Sequence, residues 1–244
     1  MLGLLPKKVF KVYISGTITD QTYTKFLKDL NKTQFIPSTP LAVVINSPGG
    51  SAVHSDLIYK RIRAYASINK VQVFTFAEDF AASGGYYIMC SGDYLYASST
   101  LSLIGSIGAV SAIPNIKDFA TKYGIERRYF STNPLDFFAT TDPLQDYNAE
   151  KSKKISSVLK EVNEEFKKII LANRKDKLTV GEDKRNDVIF NGDVFLANKA
   201  LEYGLIDSIG RCDDVIKEKF PDAKIVDLSR EKLFTRLTNA FKLY

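Results

Sequence analysis

A single histidine, two cysteines and no tryptophan occur in 244 residues, and their scarcity removes several chemistries at once. One imidazole and two separated thiols, Cys90 and Cys212, provide neither the ligand spacing of a zinc site nor a disulfide framework. We therefore expect no metal and no cofactor. A reducing compartment fits best: the cytoplasm, or an organelle matrix if a targeting peptide has been removed. No apolar run reaches the roughly eighteen residues that make a membrane-span candidate, and Met1 to Lys8 is too short for a signal peptide. The chain as given reads as soluble, with no membrane association evident, and an anchor lost from a longer precursor stays open. Low complexity, fixed-period repeats and a composition break are also lacking.

The charge is modest: +6 formally, from 34 basic and 28 acidic residues. The lysines Lys151, Lys153, Lys154, Lys160, Lys167 and Lys168 carry no interleaved aromatics, so they read as a solvated helix face and not as a nucleic-acid surface. With 45% hydrophobic residues the chain can bury a large core, and we expect one domain over residues 1–244, with 213–244 as a C-terminal tail.

A βα rhythm runs along it. Val9 to Ser15 reads as a strand, Gln21 to Asn31 as a helix, Leu41 to Ile45 as a strand buried on both faces, Ala52 to Ala66 as a helix, and Val71 to Phe76 as the next strand. Ser83 to Cys90 is a small apolar helix, followed by a short strand at Tyr94 to Ala97 and a glycine-punctuated apolar segment at Leu103 to Val110. Helices are expected at Ile116 to Tyr123, Asn148 to Arg174 and Val194 to Tyr203. In the long one, Ile155, Val158, Leu159, Val162, Phe166, Ile169 and Ile170 form an apolar stripe suited to packing or to a subunit interface. The α/β class follows, and short stacked strands point to a spiral of βα units.

Two turns carry the chemistry. Asn46-Ser47-Pro48-Gly49-Gly50 and Ala82-Ser83-Gly84-Gly85 each join a strand end to a helix start, where backbone N–H groups lack intrahelical partners and glycine lets a ligand approach. Such donors beside a serine hydroxyl can form an oxyanion hole. The plainer alternative makes Ser83 a helix N-cap and the glycines turn formers.

These turns, with Gly105-Ser106-Ile107-Gly108, Gly124-Ile125-Glu126-Arg127-Arg128 and Ala200 to Asp207, resemble in order and spacing the signal peptide peptidase A family of serine peptidases, over roughly residues 9–212. The resemblance implies the ClpP/crotonase spiral fold, oligomeric assembly and a Ser–Lys mechanism. It places the nucleophile at Ser83, backbone oxyanion donors at Gly84 and at Gly49 or Gly50, and the serine that supports the lysine base at Ser106. The family's lysine position falls on Asp136, within Asn133-Pro134-Leu135-Asp136, and no lysine occurs between Lys122 and Lys151. An ionised aspartate is a weak base for a hydroxyl.

Three readings follow. A lysine-donating paralogue completes the site in a hetero-oligomer; or the chain is a pseudopeptidase with a structural or peptide-binding role in a homo- or hetero-oligomer; or it is a self-sufficient enzyme using another base, or one whose lysine was removed by engineering. His54 is the one candidate imidazole, with Asp56 and Asp79 as conceivable orienters, but it reads more simply as a polar residue on a helix face. A Clp peptidase would need a histidine downstream of the serine, and none exists. A crotonase would handle acyl-CoA, yet no phosphate loop is present. The expected partner is an extended peptide or protein substrate, added by strand pairing against an apolar pocket near Phe80, Ala81, Ala82, Tyr86 and Tyr87, although Tyr86 and Tyr87 read equally well as core.

Overall fold

The computed structural model describes residues 6–33, 38–132, 141–146 and 148–229. The chain divides into two compact units, 1–107 with 167–244, and 108–166.

The first unit is built on a sheet with the strand order β6-β5-β3-β2-β1-β8, in which β4 pairs with β3 and β7. Its strands are β1 (Lys8–Ser15), β2 (Leu41–Ser47), β3 (Val73–Ala82), β4 (Tyr94–Ala97), β5 (Leu103–Gly105), β6 (Val194–Leu196), β7 (Ser208–Ile209) and β8 (Lys224–Asp227). All pairs are parallel except β5 with β6. Leu41, Ala42, Val43 and Ile45 are all fully buried, as a central parallel strand covered on both faces requires.

One face carries α1 (Asp20–Asn31), α2 (Ala52–Asn69) and α3 (Gly84–Met89). Thr19 starts α1 with a reciprocal capping box to Thr22, and Ser51 caps α2 by accepting from the His54 N–H. Ile58 and Ile62 of α2 are fully buried, and the Tyr65 hydroxyl donates to the Thr39 carbonyl at 2.8 Å. On the other face Val9, Ala42, Val44, Phe74, Phe76 and Tyr96 pack with Val215, Ile216 and Phe220. The last three lie on or just beyond the helix Cys212–Lys219.

The feature that shapes the site is a break in β3. Up to Ala77 this strand pairs with β4, and from Phe80 onward it pairs with β5. Its register against β2 shifts at the same place: Ile45 faces Ala77 and Ser47 faces Ala81, so three residues of β3 oppose Asn46 alone. A bulge of this kind bends the strand and raises its twist, and residues 80–82 pair with β5, which in turn pairs with β6, within the same sheet. A spiral, not a flat sheet, results.

Two boundaries differ from the sequence reading. Strand β3 runs on to Ala82 because the polar Glu78 and Asp79 occupy the bulge. Val194–Leu196, expected within a helix, is a strand paired antiparallel with β5, and the helix occupies only Ala197–Glu202. Val194, Phe195 and Leu196 are two branched side chains and an aromatic in a row, a composition suited to a pleated edge.

In the second unit a short helix, Lys117–Lys122, is followed by a chain tied back by Asp142. This buried carboxylate accepts from Arg127 at 2.7 Å, from the Tyr129 hydroxyl and from the Leu144 N–H. The helix Ala149–Arg174 runs from this unit into the first. Asp136 lies outside the described residues.

Candidate active site

Three turns meet at the end of β3. In the first, the Ser47 hydroxyl donates to the Gly16 carbonyl at 2.7 Å and accepts from the Gly49 N–H at 3.1 Å. The Gly49 carbonyl then accepts from the Ile18 N–H, and the Ser51 N–H donates to the Ile18 carbonyl, both at 2.8 Å. Gly50 therefore lies flat against Ile18, whose carbonyl oxygen would be 2.4 Å from any Cβ added there.

The second turn is Ser83 itself. Its backbone sits at φ 51° and ψ −122°, and its side chain makes no capping bond to α3. Positive φ is uncommon for a residue with a Cβ, and a held outlier costs of order 1–3 kcal/mol. The surroundings impose it: the Ser83 N–H donates to the Gly105 carbonyl at 2.8 Å, and the Ser83 carbonyl accepts from the Tyr87 N–H at 2.9 Å. Gly49 presses on the same corner. A Cβ at Gly49 would stand 2.7 Å from the Ser83 Cβ and 2.9 Å from the Gly84 nitrogen. On the far side Gly84 rests under Ser55, whose hydroxyl is held by the Ser51 carbonyl at 2.8 Å.

The third turn is Gly105-Ser106. Ser106 also has positive φ, 50°, and its N–H donates to the Asp193 carbonyl at 2.6 Å. Since Gly105 pairs with Ala82 and accepts from Ser83, Ser83 and Ser106 each follow one member of the last β3–β5 pair. Ser83, Ser106, Gly49, Gly50 and Gly84 are thus brought together.

The glycine donors divide. The Gly49 N–H is spent on Ser47, whereas the N–H groups of Gly50 and Gly84 have no hydrogen-bond partner among the described residues. Both are donors at strand-to-helix corners, available to an anion.

His54 is placed elsewhere. Its Nδ1 lies 3.0 Å from the Ser51 hydroxyl, its Nε2 3.7 Å from Asp20, and its ring 5.8 Å from that of Tyr23, so it packs on α1. Asp56 accepts from the Tyr87 hydroxyl and pairs with Lys60, and Asp79 accepts from Asn46. Neither orients the imidazole. Lys11, the one buried lysine among the described residues, is no neutral base either. Burial works against its charge, but Asp213 at 2.8 Å and Tyr13 outweigh it and hold the ammonium above its ordinary pKa of 10.5. Burial pushes the Cys90 and Cys212 thiols up to about 12, which removes them as nucleophiles at neutral pH.

Two supports escape a sequence reading. Asn46 and Ser47 read as turn residues, yet each bridges to a second segment; polar side chains closing an apolar run are the only local signal. Arg174, fully buried, donates to the Gly204 carbonyl at 2.6 and 3.0 Å and to Asp207 at 2.8 Å. The same loop accepts the buried Tyr86 hydroxyl at the Leu205 carbonyl, 2.7 Å away. Tyr86 belongs to the helix that Ser83 precedes, so this loop anchors it.

Comparison with known proteins agrees with this architecture. Residues 66–225 match the model of peptidase family S49, and residues 5–101 match that of Clp protease. The Na(+)/H(+) antiporter NhaA of Brucella melitensis is 36% identical over 75% of this chain, and the chain spans 24% of that relative's length. The putative signal peptide peptidase SppA of Enterococcus faecium is 24% identical over 94% of this chain and 69% of its own length. Protease 4 of Haemophilus influenzae is 28% identical over 88% of this chain and 34% of its own. The fold is ClpP/crotonase-like, and the chain belongs to peptidase family S49.

Proposed function

We propose that this chain is a serine peptidase domain of the signal peptide peptidase A type, in which Ser83 attacks an extended peptide and the N–H groups of Gly50 and Gly84 receive the oxyanion. The observation that carries the reading is the conformation of Ser83. An N-cap serine serves its helix through its hydroxyl; this one caps nothing and is held at positive φ against Gly49. Strain of that kind collects at functional corners. In the reaction the Ser83 oxygen would bond to the scissile carbonyl carbon, its proton would pass to a base, and the base would return a proton to the leaving amine. Each oxyanion donor typically contributes about 3 kcal/mol in the transition state.

The base is not in the family's place: Asp136 stands there and no lysine occurs from 123 to 150. A neighbouring subunit of a hetero-oligomer supplies it in this reading, with Ser106 supporting the incoming amine. The second reading, a pseudopeptidase that binds peptides without cutting them, rests on the same missing lysine. Antiport is not carried over from the Brucella relatives: the chain matches 24% of their length, and no helix of the described residues is long and apolar enough to cross a membrane.

Labelling by a fluorophosphonate, mapped by peptide mass, tests the proposal. Modification of Ser83 in the pure chain means that the chain activates it unaided, and modification only in a lysate of its own source means that a partner does. The absence of labelling in both, with peptide binding retained, establishes the pseudopeptidase, and labelling at another serine overturns the assignment of Ser83.

A further inference from the structure

The bulge in β3 is closed by one side chain. Asn46, the single β2 residue facing Glu78, Asp79 and Phe80, uses both ends of its amide. Its Nδ2 donates to Asp79 Oδ2 at 2.8 Å, and its Oδ1 accepts from the Phe80 N–H at 3.3 Å. The bulge leaves Phe80 without a rung to β2, and Asn46 supplies the missing acceptor. The backbone of Asn46 is fixed in turn, because its carbonyl accepts from the Gly16 N–H at 2.9 Å. Asn46 therefore sits where two constraints cross, one from β1 and one from the bulge.

Position gives this bond its consequence. The bulge lies between the part of β3 paired with β4 and the part paired with β5. Three residues after Phe80 the strand ends in Ser83, with no flexible link between. A slip of one residue at the bulge would turn every side chain of 80–82 to the opposite face and would carry the Ser83 corner off Gly49 and Gly105.

We propose that Asn46 is a positioning residue for Ser83: by tying both ends of its amide to the bulge it sets the register in which β3 leaves β4, joins β5 and delivers Ser83 to the Gly49-Gly50 turn. This rests on the peptidase reading only for its effect on reactivity; the effect on register stands apart from it.

The test uses the full chain, with Asn46→Ala, Asn46→Asp, Asp79→Ala and the exchanged pair Asn46→Asp with Asp79→Asn. In the exchanged pair the carboxylate now at position 46 still accepts from the Phe80 N–H and also accepts from the side-chain amide now at position 79, restoring both bonds with donor and acceptor reversed only in the second. Amide hydrogen exchange is read for 78–84 against 41–45, and Ser83 labelling by fluorophosphonate is timed. Asn46→Ala and Asn46→Asp are expected to speed exchange over 78–84 by about tenfold or more and leave 41–45 unmoved, a local opening of the kind exchange resolves. Labelling is expected to slow by about ten- to a hundredfold, as a displaced reacting group does. The exchanged pair is expected to return both to near the parent, which a loss of general stability would not do. Unchanged exchange in Asn46→Ala, or an exchanged pair no better than Asn46→Asp, overturns the proposal. If Asn46→Ala does not fold, Asp79→Ala, which keeps the Phe80 bond, is expected to show a smaller rise over 78–84, and no rise there overturns it equally. A parent chain that labels neither alone nor in a lysate of its own source refutes the peptidase reading, while the exchange data still decide the role of Asn46.

Discussion

Replacing Gly49 by alanine tests whether the two glycine turns and Ser83 form one tightly built corner. Two costs add. The backbone of Gly49 lies at φ 104°, outside the regions open to a residue with a Cβ, which costs of order 1–3 kcal/mol. The new methyl would also lie 2.7 Å from the Ser83 Cβ, 2.9 Å from the Gly84 nitrogen and 3.0 Å from the Ala82 carbonyl oxygen. None of these is the end of a flexible side chain, so the backbone must shift, a further cost of about 1–3 kcal/mol. Together they give about 4 kcal/mol, and at about 2–4 °C per kcal/mol for a chain of this size the melting temperature should fall by about 8–16 °C. Gly16 is the internal control. It too has positive φ, 75°, but a Cβ there meets nothing within 4 Å. Gly16→Ala should therefore show strain alone, about 1–2 kcal/mol. Both variants would be melted by calorimetry and timed with the fluorophosphonate. If Gly49→Ala melts no lower than Gly16→Ala, the close approach of the turns is wrong; if it melts low but Ser83 labels at the parent rate, the approach does not position the serine.

Arg174→Leu should be among the most damaging single changes, because it strips the Gly204 carbonyl and Asp207 of buried donors. A loss of about 3–5 kcal/mol is expected in urea unfolding, and a loss under about 1 kcal/mol would show that water replaces the guanidinium. Acid should destabilise the parent for a stated reason. Burial pushes the Asp29 and Asp207 carboxyls up, but Lys32 and Lys25 at the first, and Lys177, the Leu95 N–H and Arg174 at the second, bring both below 3.8. Their contribution is thus complete above that pH and lost as pH falls through the lower folded values, so Asp29→Asn should flatten the acid limb of a stability curve. Cys90 and Cys212, both pushed up to about 12 by burial, should resist a disulfide reagent at neutral pH until denaturant is added. Rapid reaction of either in the native chain would contradict its placement.

Where local sequence carried the information, the sequence reading and the structure coincide. Leu41 to Ile45 is an unbroken apolar run and is a central strand; Val53 to Tyr65 has helical spacing and is a helix. The glycine turns were legible because few residues reach positive φ cheaply. What was not legible depends on partners far along the chain. Glu78 and Asp79 look like the end of a strand, and only the pairing of Phe80 with Leu103 makes them a bulge inside one. Val194 to Leu196 has no periodicity strong enough to oppose a helix, and its strand exists because β5 offers an edge. At the site, Gly49 and Gly50 are equal by sequence; the Ser47 hydroxyl, one bond from Gly16, separates them by occupying the first.

The same geometry bears on the proposed reading in which the base comes from outside this chain. An oxyanion corner and a base are separable parts of a serine peptidase, since a chain can keep two backbone donors and a serine at positive φ while the proton acceptor lies on another chain. Holding the corner is costly: Ser83 and Ser106 both occupy positive φ, and Gly49, Gly50 and Gly84 are each pressed by a neighbour too close to admit a Cβ. A simple N-cap at the start of α3 would avoid all of this with an ordinary backbone and a hydroxyl bonded to the helix. In the proposed reading the corner is held for a group bound there. Either a reacting carbonyl or a peptide held without reaction satisfies that condition, and the proton acceptor alone distinguishes them. In the proposed reading a lysine delivered by a partner would convert one into the other, so labelling of the parent and of Ser83→Ala, alone and in a lysate of its own source, decides the function more directly than any measurement of fold.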